Sequence, residues 1–262
     1  MNKQDYVYVV DLVKQAGKLA FQMDLDIKIK DCIGDFVTQV DISVMNFLRD
    51  KLNEKYPEID FYCEEDPDSH YTDYCWILDP IDGTTNLVHG YRQCGISLAL
   101  LKDNESIFGI VYNPFTDECF TAIKGKGAYL NGTKRLHVSD RPLNLALIEF
   151  GAESNIKTHA DMNFNIAKDL FRECVDIRRL CTTAMNLCYI ADGRIEGYFE
   201  GYVHPWDFGA GILMVSEAGG ITTDFEGNNL DFSKPSTTII SGNGIVNQQI
   251  QDAVRQHYNK GN

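Results

Sequence analysis

Residues 76–86 read Trp-Ile-Leu-Asp-Pro-Ile-Asp-Gly-Thr-Thr-Asn. An apolar run ending in Asp79-Pro80 predicts a strand over Trp76–Asp79 that stops at Pro80, because proline has no N–H for the ladder. A strand's end in a layered α/β protein opens on a crevice, where side chains meet ligands. Asp82, three residues on, lies near enough after a turn for both carboxylates to grip one or two hard cations. Gly83 permits a tight turn, and the N–H groups of Gly83, Thr84 and Thr85, if they open a short helix, form a donor nest for a phosphate. Carboxylates beside an anion nest need a cation between them. A turn with Asx and threonine caps accounts for the same string without chemistry, so the rest of the chain has to decide.

Two further clusters answer. Phe61-Tyr62-Cys63-Glu64-Glu65-Asp66 puts a carboxylate pair at another predicted strand end, where a solvated loop is the plainer reading. Pro205-Trp206-Asp207 opens an apolar helix expected over Trp206–Ala218 and closed by Gly219 and Gly220, so Asp207 also reads as a first-turn acid. Together the three segments supply Glu64, Asp79, Asp82 and Asp207. Phosphatases with a covalent aspartate nucleophile also contain Asp-Gly-Thr, but their two aspartates are two apart. A spacing of three with Pro80 between favours chelation.

Outward from these clusters, periodicity predicts helices over 5–24 and 38–56, a hairpin within 27–40, and an antiparallel meander of strands at 94–102, 107–113 and 118–123 ending near the Asn-Gly turn at 131–132. A strand at 145–151, helices near 161–174 and 183–192, strands at 196–201 and 237–242 and a last helix at 245–257 follow. Helix pairs alternating with strand groups indicate a layered α/β chain, and no Pro/Gly/Ser linker divides residues 1–262, so one domain is expected. No GxGxxG follows a strand and no P-loop string occurs.

The 262 residues are 44% hydrophobic, enough for a substantial core. Twenty-four basic against 38 acidic residues give a net charge of −14, which argues against nucleic-acid coating and polybasic membrane docking. Asp5 and Asp11 interrupt the N-terminal apolar stretch before it resembles a secretory signal, no apolar run is long enough to span a membrane, and the eight cysteines lack zinc-finger spacing. A cytoplasmic protein with reduced thiols is the expectation. None of the six histidines joins a catalytic string, and His204 reads as a packing or capping residue.

Asp79–Asn86, Glu64-Glu65, Gly34–Asp41 (GDFVTQVD) and Trp206–Gly220 (WDFGAGILMVSEAGG) resemble, in order, the motifs of the inositol monophosphatase family of lithium-sensitive, magnesium-dependent phosphatases. Departures are Cys63 and Leu87 where glycine and phenylalanine are common, and Gly209 where alanine is usual, a change expected to cost about 1 kcal/mol of helix propensity. The resemblance implies a five-layer αβαβα sandwich with largely antiparallel sheets and a homodimer. It implies one Mg²⁺ on Glu64, Asp79 and the Ile81 carbonyl, a second on Asp79, Asp82 and Asp207, and a weaker third on Glu64 and water. Glu64 and Thr84 would orient the attacking water, with Asp79 bridging the metals, and the Gly83 and Thr84 amides would hold the phosphate for direct, in-line displacement. Asp82, Thr182, Thr183 and Glu200 match contacts to the alcohol half of the ester.

Lys30, Asp35, Thr38 and Asp41 match a mobile segment near the third metal, though Thr38-x-x-Asp41 is equally a capping box and Lys30 and Asp35 equally surface charges. The expected substrate is an inositol monophosphate. Fructose 1,6-bisphosphate, the 2′-phosphate of NADP and 3′-phosphoadenosine 5′-phosphate are the alternatives, along with a non-catalytic regulator that binds RNA polymerase or another partner.

Overall fold

A computed structural model describes residues 2–19, 27–29, 36–152 and 157–258. The meander becomes a seven-stranded sheet in the order β3 (Asp60–Cys63), β4 (Tyr74–Asp82), β5 (Gly95–Lys102), β6 (Glu105–Asn113), β7 (Glu118–Ile123), β8 (Gly127–Leu130), β9 (Lys134–Arg135). Only β3 and β4 run parallel in it. Apart from it, β1 (Ile27–Ile29) and β2 (Phe36–Thr38) pair as the two arms of the expected hairpin.

The second sheet has the order β11 (Asp176–Arg178), β10 (Leu147–Phe150), β12 (Gly197–Val203), β14 (Thr237–Gly242), β13 (Ile221–Thr223). Here β10 lies parallel to both neighbours, so this sheet is half parallel rather than largely antiparallel. The cause is the insertion of α4 (Ala160–Phe171) between β10 and β11 and of α5 (Thr183–Ala191) between β11 and β12. A strand, helix, strand passage returns the chain in the same direction.

Three cores hold five layers together, the middle one lying on both sides of the central helices. Val9 and Val13 of α1 (Lys3–Gly17) and Val44 and Leu48 of α2 (Gln39–Lys55) pack on Trp76, Leu78 and Leu98 of the first sheet. Its other face, with Ile77, Ala99 and Val111, meets α5 and α7 (Gly211–Glu217), which also cover Tyr198 and Ile239 of the second sheet. Beyond that sheet, Ile166 of α4 and Ile250 of α8 (Asn247–His257) cover Ile148 and Phe199. The order is αβαβα. Strands covered on both faces read as unbroken apolar runs, which is why Trp-Ile-Leu shows no alternation.

Pro80 does not end β4. The strand runs on to Asp82, and the ladder slips instead: Asp79 faces Ser97 and Asp82 faces Gly95, three residues of β4 against two of β5. In an unbroken strand residues three apart point to opposite faces. The extra residue restores the parity, so Asp79 and Asp82 both enter the middle layer beside Ile77, while Ile81 enters the α1/α2 core.

The expected helix over Trp206–Ala218 is divided into α6 (Pro205–Phe208) and α7, with Gly209 between them in right-handed helical geometry. A Cβ on Gly209 would stand 2.9 Å from Ile77 Cγ2 and 2.9 Å from the Pro205 carbonyl. The glycine is therefore what lets α6 close on β4, and its propensity cost is offset by that packing. Gly209→Ala should lower stability by about 1–3 kcal/mol through overpacking, measured by urea unfolding, and should cost less in an Ile77→Ala background, which lacks Cγ2. An alanine variant as stable as the parent would contradict this packing.

Five of the seven described cysteines are buried and none is bonded to another, while Cys32 lies outside the described residues. Among the described residues no helix is long and apolar enough to cross a membrane.

Candidate active site

Buried acids lie along the middle layer. Asp79 and Asp82 enter from β4, with 3% and 8% of their surface exposed. Asp207 stands at the first turn of α6, held because its Oδ2 accepts the His204 backbone N–H at 2.7 Å. This cap was one of two readings of Asp207, and it also fixes the carboxylate toward β4. The α6 helix itself is anchored to β5 by Ser97 Oγ, which donates to the Trp206 carbonyl at 3.3 Å. His204 caps and packs, its ring stacked on Trp206 with centroids 4.6 Å apart.

Glu64 follows β3, and its N–H continues the ladder to the Leu78 carbonyl at 3.2 Å. That bond puts it beside the strand carrying Asp79. Its charge acts on Asp41, Asp79, Asp82 and Asp207 alike.

Burial and repulsion push the three aspartates upward. Asp79 is raised well above the usual carboxylate range by burial first, then by Glu64, Asp82 and Asp207. Asp207 is raised well above it by burial and by Asp82. Asp82 is raised by burial to about 7, although hydrogen bonds from Thr182 and the Ala184 N–H pull it back. Each aspartate also turns one oxygen to protein donors: Asp79 Oδ1 to the Ile81 N–H at 3.0 Å, Asp82 Oδ2 to Thr182 Oγ1 and the Ala184 N–H at 2.6 Å each. Among the described residues no three His, Cys, Asp or Glu side chains stand, as placed, in a group that could hold a metal ion. Like-charged carboxylates in low dielectric stand off from one another, and a divalent cation supplies the charge that draws them in. The donor set, all hard oxygens with a second oxygen on each aspartate to which none of the described residues donates, fits Mg²⁺.

Gly83 has φ +92°, a left-handed geometry that starts α3 (Thr84–Val88). Asn86 ties this turn across the molecule, donating to the Gln93 and Leu180 carbonyls at 2.6 Å each. Thr84 Oγ1 lies 2.9 Å from the Ile81 carbonyl and 3.2 Å from Asp41 Oδ1. The other Asp41 oxygen accepts the Thr38 N–H at 2.8 Å and its hydroxyl at 2.5 Å, completing the capping box of α2. The capping reading of Thr38-x-x-Asp41 holds, and the acid that caps α2 also accepts from Thr84. Burial raises Asp41 to about 6. Lys30 and Asp35 lie outside the described residues.

Thr182 and Thr183, expected as substrate contacts, turn their hydroxyls to acids, Thr182 to Asp82 and Thr183 to Glu200 Oε2 at 3.0 Å. Glu200 projects from β12 where that strand also slips register, three residues against two of β14. Tyr198 is a participant that sequence reasoning did not single out: its hydroxyl donates to the same Glu200 Oε2. A buried tyrosine in a strand gives no signal of such a role by pattern alone.

Comparison with known proteins turns on the whole chain. The model of the inositol monophosphatase family matches residues 3–259. The chain belongs to the inositol monophosphatase family. It is 34% identical to inositol monophosphatase 1 of Bos taurus over 258 residues, 95% of this chain and 93% of that one. It is 38% identical to Nus factor SuhB of Escherichia coli K12 over 197 residues, 74% of each. A solved IMPase/NADP phosphatase complexed with Mg²⁺ and phosphate superimposes with a TM-score of 0.87 at 25% identity, covering 96% of this chain and 95% of that one. Family membership accounts for the αβαβα layers and brings an expectation of divalent-metal dependence to the buried acids.

Proposed function

We propose that the protein is a Mg²⁺-dependent phosphomonoesterase acting on a cyclitol or sugar phosphate, with inositol monophosphate as its substrate. The observation that carries this reading is the burial of Asp79, Asp82 and Asp207 beside Glu64 and a glycine-started turn, the three aspartates raised by burial first and then by neighbouring acids. Glu64, Asp79 and the Ile81 carbonyl would hold one Mg²⁺, and Asp79, Asp82 and Asp207 a second. When bound, these ions offset phosphate charge and acidify water.

The chain's own residues do the rest. The opening N–H groups of α3, at Gly83 and Thr84, precede the intrahelical ladder and would donate to phosphate oxygens. The single Thr84 hydroxyl hydrogen is directed at Asp41 and the Ile81 carbonyl, so its lone pairs are left to accept a hydrogen bond from the attacking water. Glu64 takes the water's other proton. Displacement is direct and in line. A phosphorylated aspartate trapped during turnover would contradict it.

The likeness to Nus factor SuhB supports a second reading, a regulator that retains the buried acids and acts by binding a partner. Phosphate release from inositol 1-phosphate, fructose 1,6-bisphosphate, NADP and 3′-phosphoadenosine 5′-phosphate with Mg²⁺, then with added Li⁺, separates the two. The enzyme reading expects inositol 1-phosphate to lead and Li⁺ to inhibit. Metal binding with release from none of the four would favour the regulator.

A further inference from the structure

Glu200 is 9% exposed, and its environment is built from three sides. Thr183 Oγ1 and the hydroxyl of Tyr198 both donate to Oε2, and those two hydroxyls stand 2.9 Å apart. Tyr198 is fully buried, so its ring cannot move aside. On the third side, a Cβ placed on Gly151 would stand 2.0 Å from the Glu200 carboxyl carbon and 2.2 and 2.3 Å from its oxygens. The carboxylate lies flat on the backbone of Gly151, the residue after β10. Gly151 itself is held to β12 by its N–H to the Phe199 carbonyl at 2.9 Å.

We infer that Tyr198, Thr183 and Gly151 are positioning residues that fix Glu200 so that only Oε1 is offered to the substrate, making the site a reader of one hydroxyl beside the phosphate ester. This rests on the phosphomonoesterase reading above. The chemistry follows from counting donors and acceptors. With Oε2 saturated by two hydroxyls, the carboxylate cannot take a vicinal diol through both oxygens. It accepts one hydrogen bond from one ring hydroxyl, in a direction set by the Gly151 backbone. A buried acceptor of fixed direction discriminates strongly against an ester that lacks the matching hydroxyl, because the acceptor is then left unpaired.

The test compares inositol 1-phosphate, which has the hydroxyl, with p-nitrophenyl phosphate, which has none, in the full-length Mg²⁺-loaded protein. Tyr198→Phe removes one oxygen and keeps the ring, so the fold is retained, and a thermal melt checks this. The expected result is a rise in KM for inositol 1-phosphate of about tenfold with kcat changed less than threefold, and a KM change at least five times smaller for p-nitrophenyl phosphate. Gly151→Ala, which touches no hydroxyl but displaces the carboxylate, should give the same split. Equal changes for both esters, or no change for either, would overturn the positioning role while leaving the phosphatase reading intact. A parent protein that hydrolyses neither ester would overturn both.

Discussion

Asp79→Asn should lower kcat for any phosphate ester at least about a thousandfold, roughly 4 kcal/mol of barrier, and should at the same time make the metal-free protein more stable. The two effects have one source. Asp79 is buried beside Glu64, Asp82 and Asp207, so its charge is costly to the fold without a cation, and in the proposed mechanism it is a cation that offsets it. Asparagine keeps the shape and the Oδ1 acceptor for the Ile81 N–H, and it removes the repulsion. Thermal melts in chelator should therefore place the variant above the parent, whereas melts in Mg²⁺ should reverse or erase the difference. A variant with activity within tenfold of the parent, or one destabilised in chelator, would contradict the role given to Asp79.

The pH dependence of the metal-free protein should run opposite to that of most folded domains. Asp82 is raised to about 7 and Asp41 to about 6, each above its unfolded value, so the folded state binds more protons than the unfolded one between about pH 4 and 7. Stability from these groups is then highest at low pH and is lost as pH rises through the folded values. In chelator, the denaturant midpoint should fall from pH 5.5 to pH 8. Saturating Mg²⁺ competes with those protons, and the same interval should flatten or change sign. A metal-free midpoint that rises over this interval would show that the acids are not held apart by burial and repulsion.

The chain displayed its chemistry more openly than its geometry. Asp79 and Asp82 were legible as a pair because Asp-Pro-x-Asp-Gly is an unusual string, yet three residues along a strand should separate them. The one-residue slip opposite Ser97 and Gly95 is what unites them, and a slip depends on the partner strand. Thr38-x-x-Asp41 and Asp207 each allowed a capping and a functional reading, and the structure gives each acid a cap on one oxygen and a place near the other buried acids. Residues that act through others left no local trace. Tyr198 and Gly151 matter because β10 and β12 are neighbours, a consequence of the parallel return through α4 and α5. Strand β11, at three residues, is too short for alternation to mark, so that parallel return went unread. The layers themselves were legible, since buried strands and amphipathic helices differ in period.

The most direct test of the central claim is the rate of phosphate release from inositol 1-phosphate as Mg²⁺ is added to chelator-stripped protein. Expected are no release above background without the cation, saturable activation as Mg²⁺ is restored, and no activation at any concentration in Asp79→Asn. Release that is independent of Mg²⁺, or that Asp79→Asn supports as well as the parent, would contradict it.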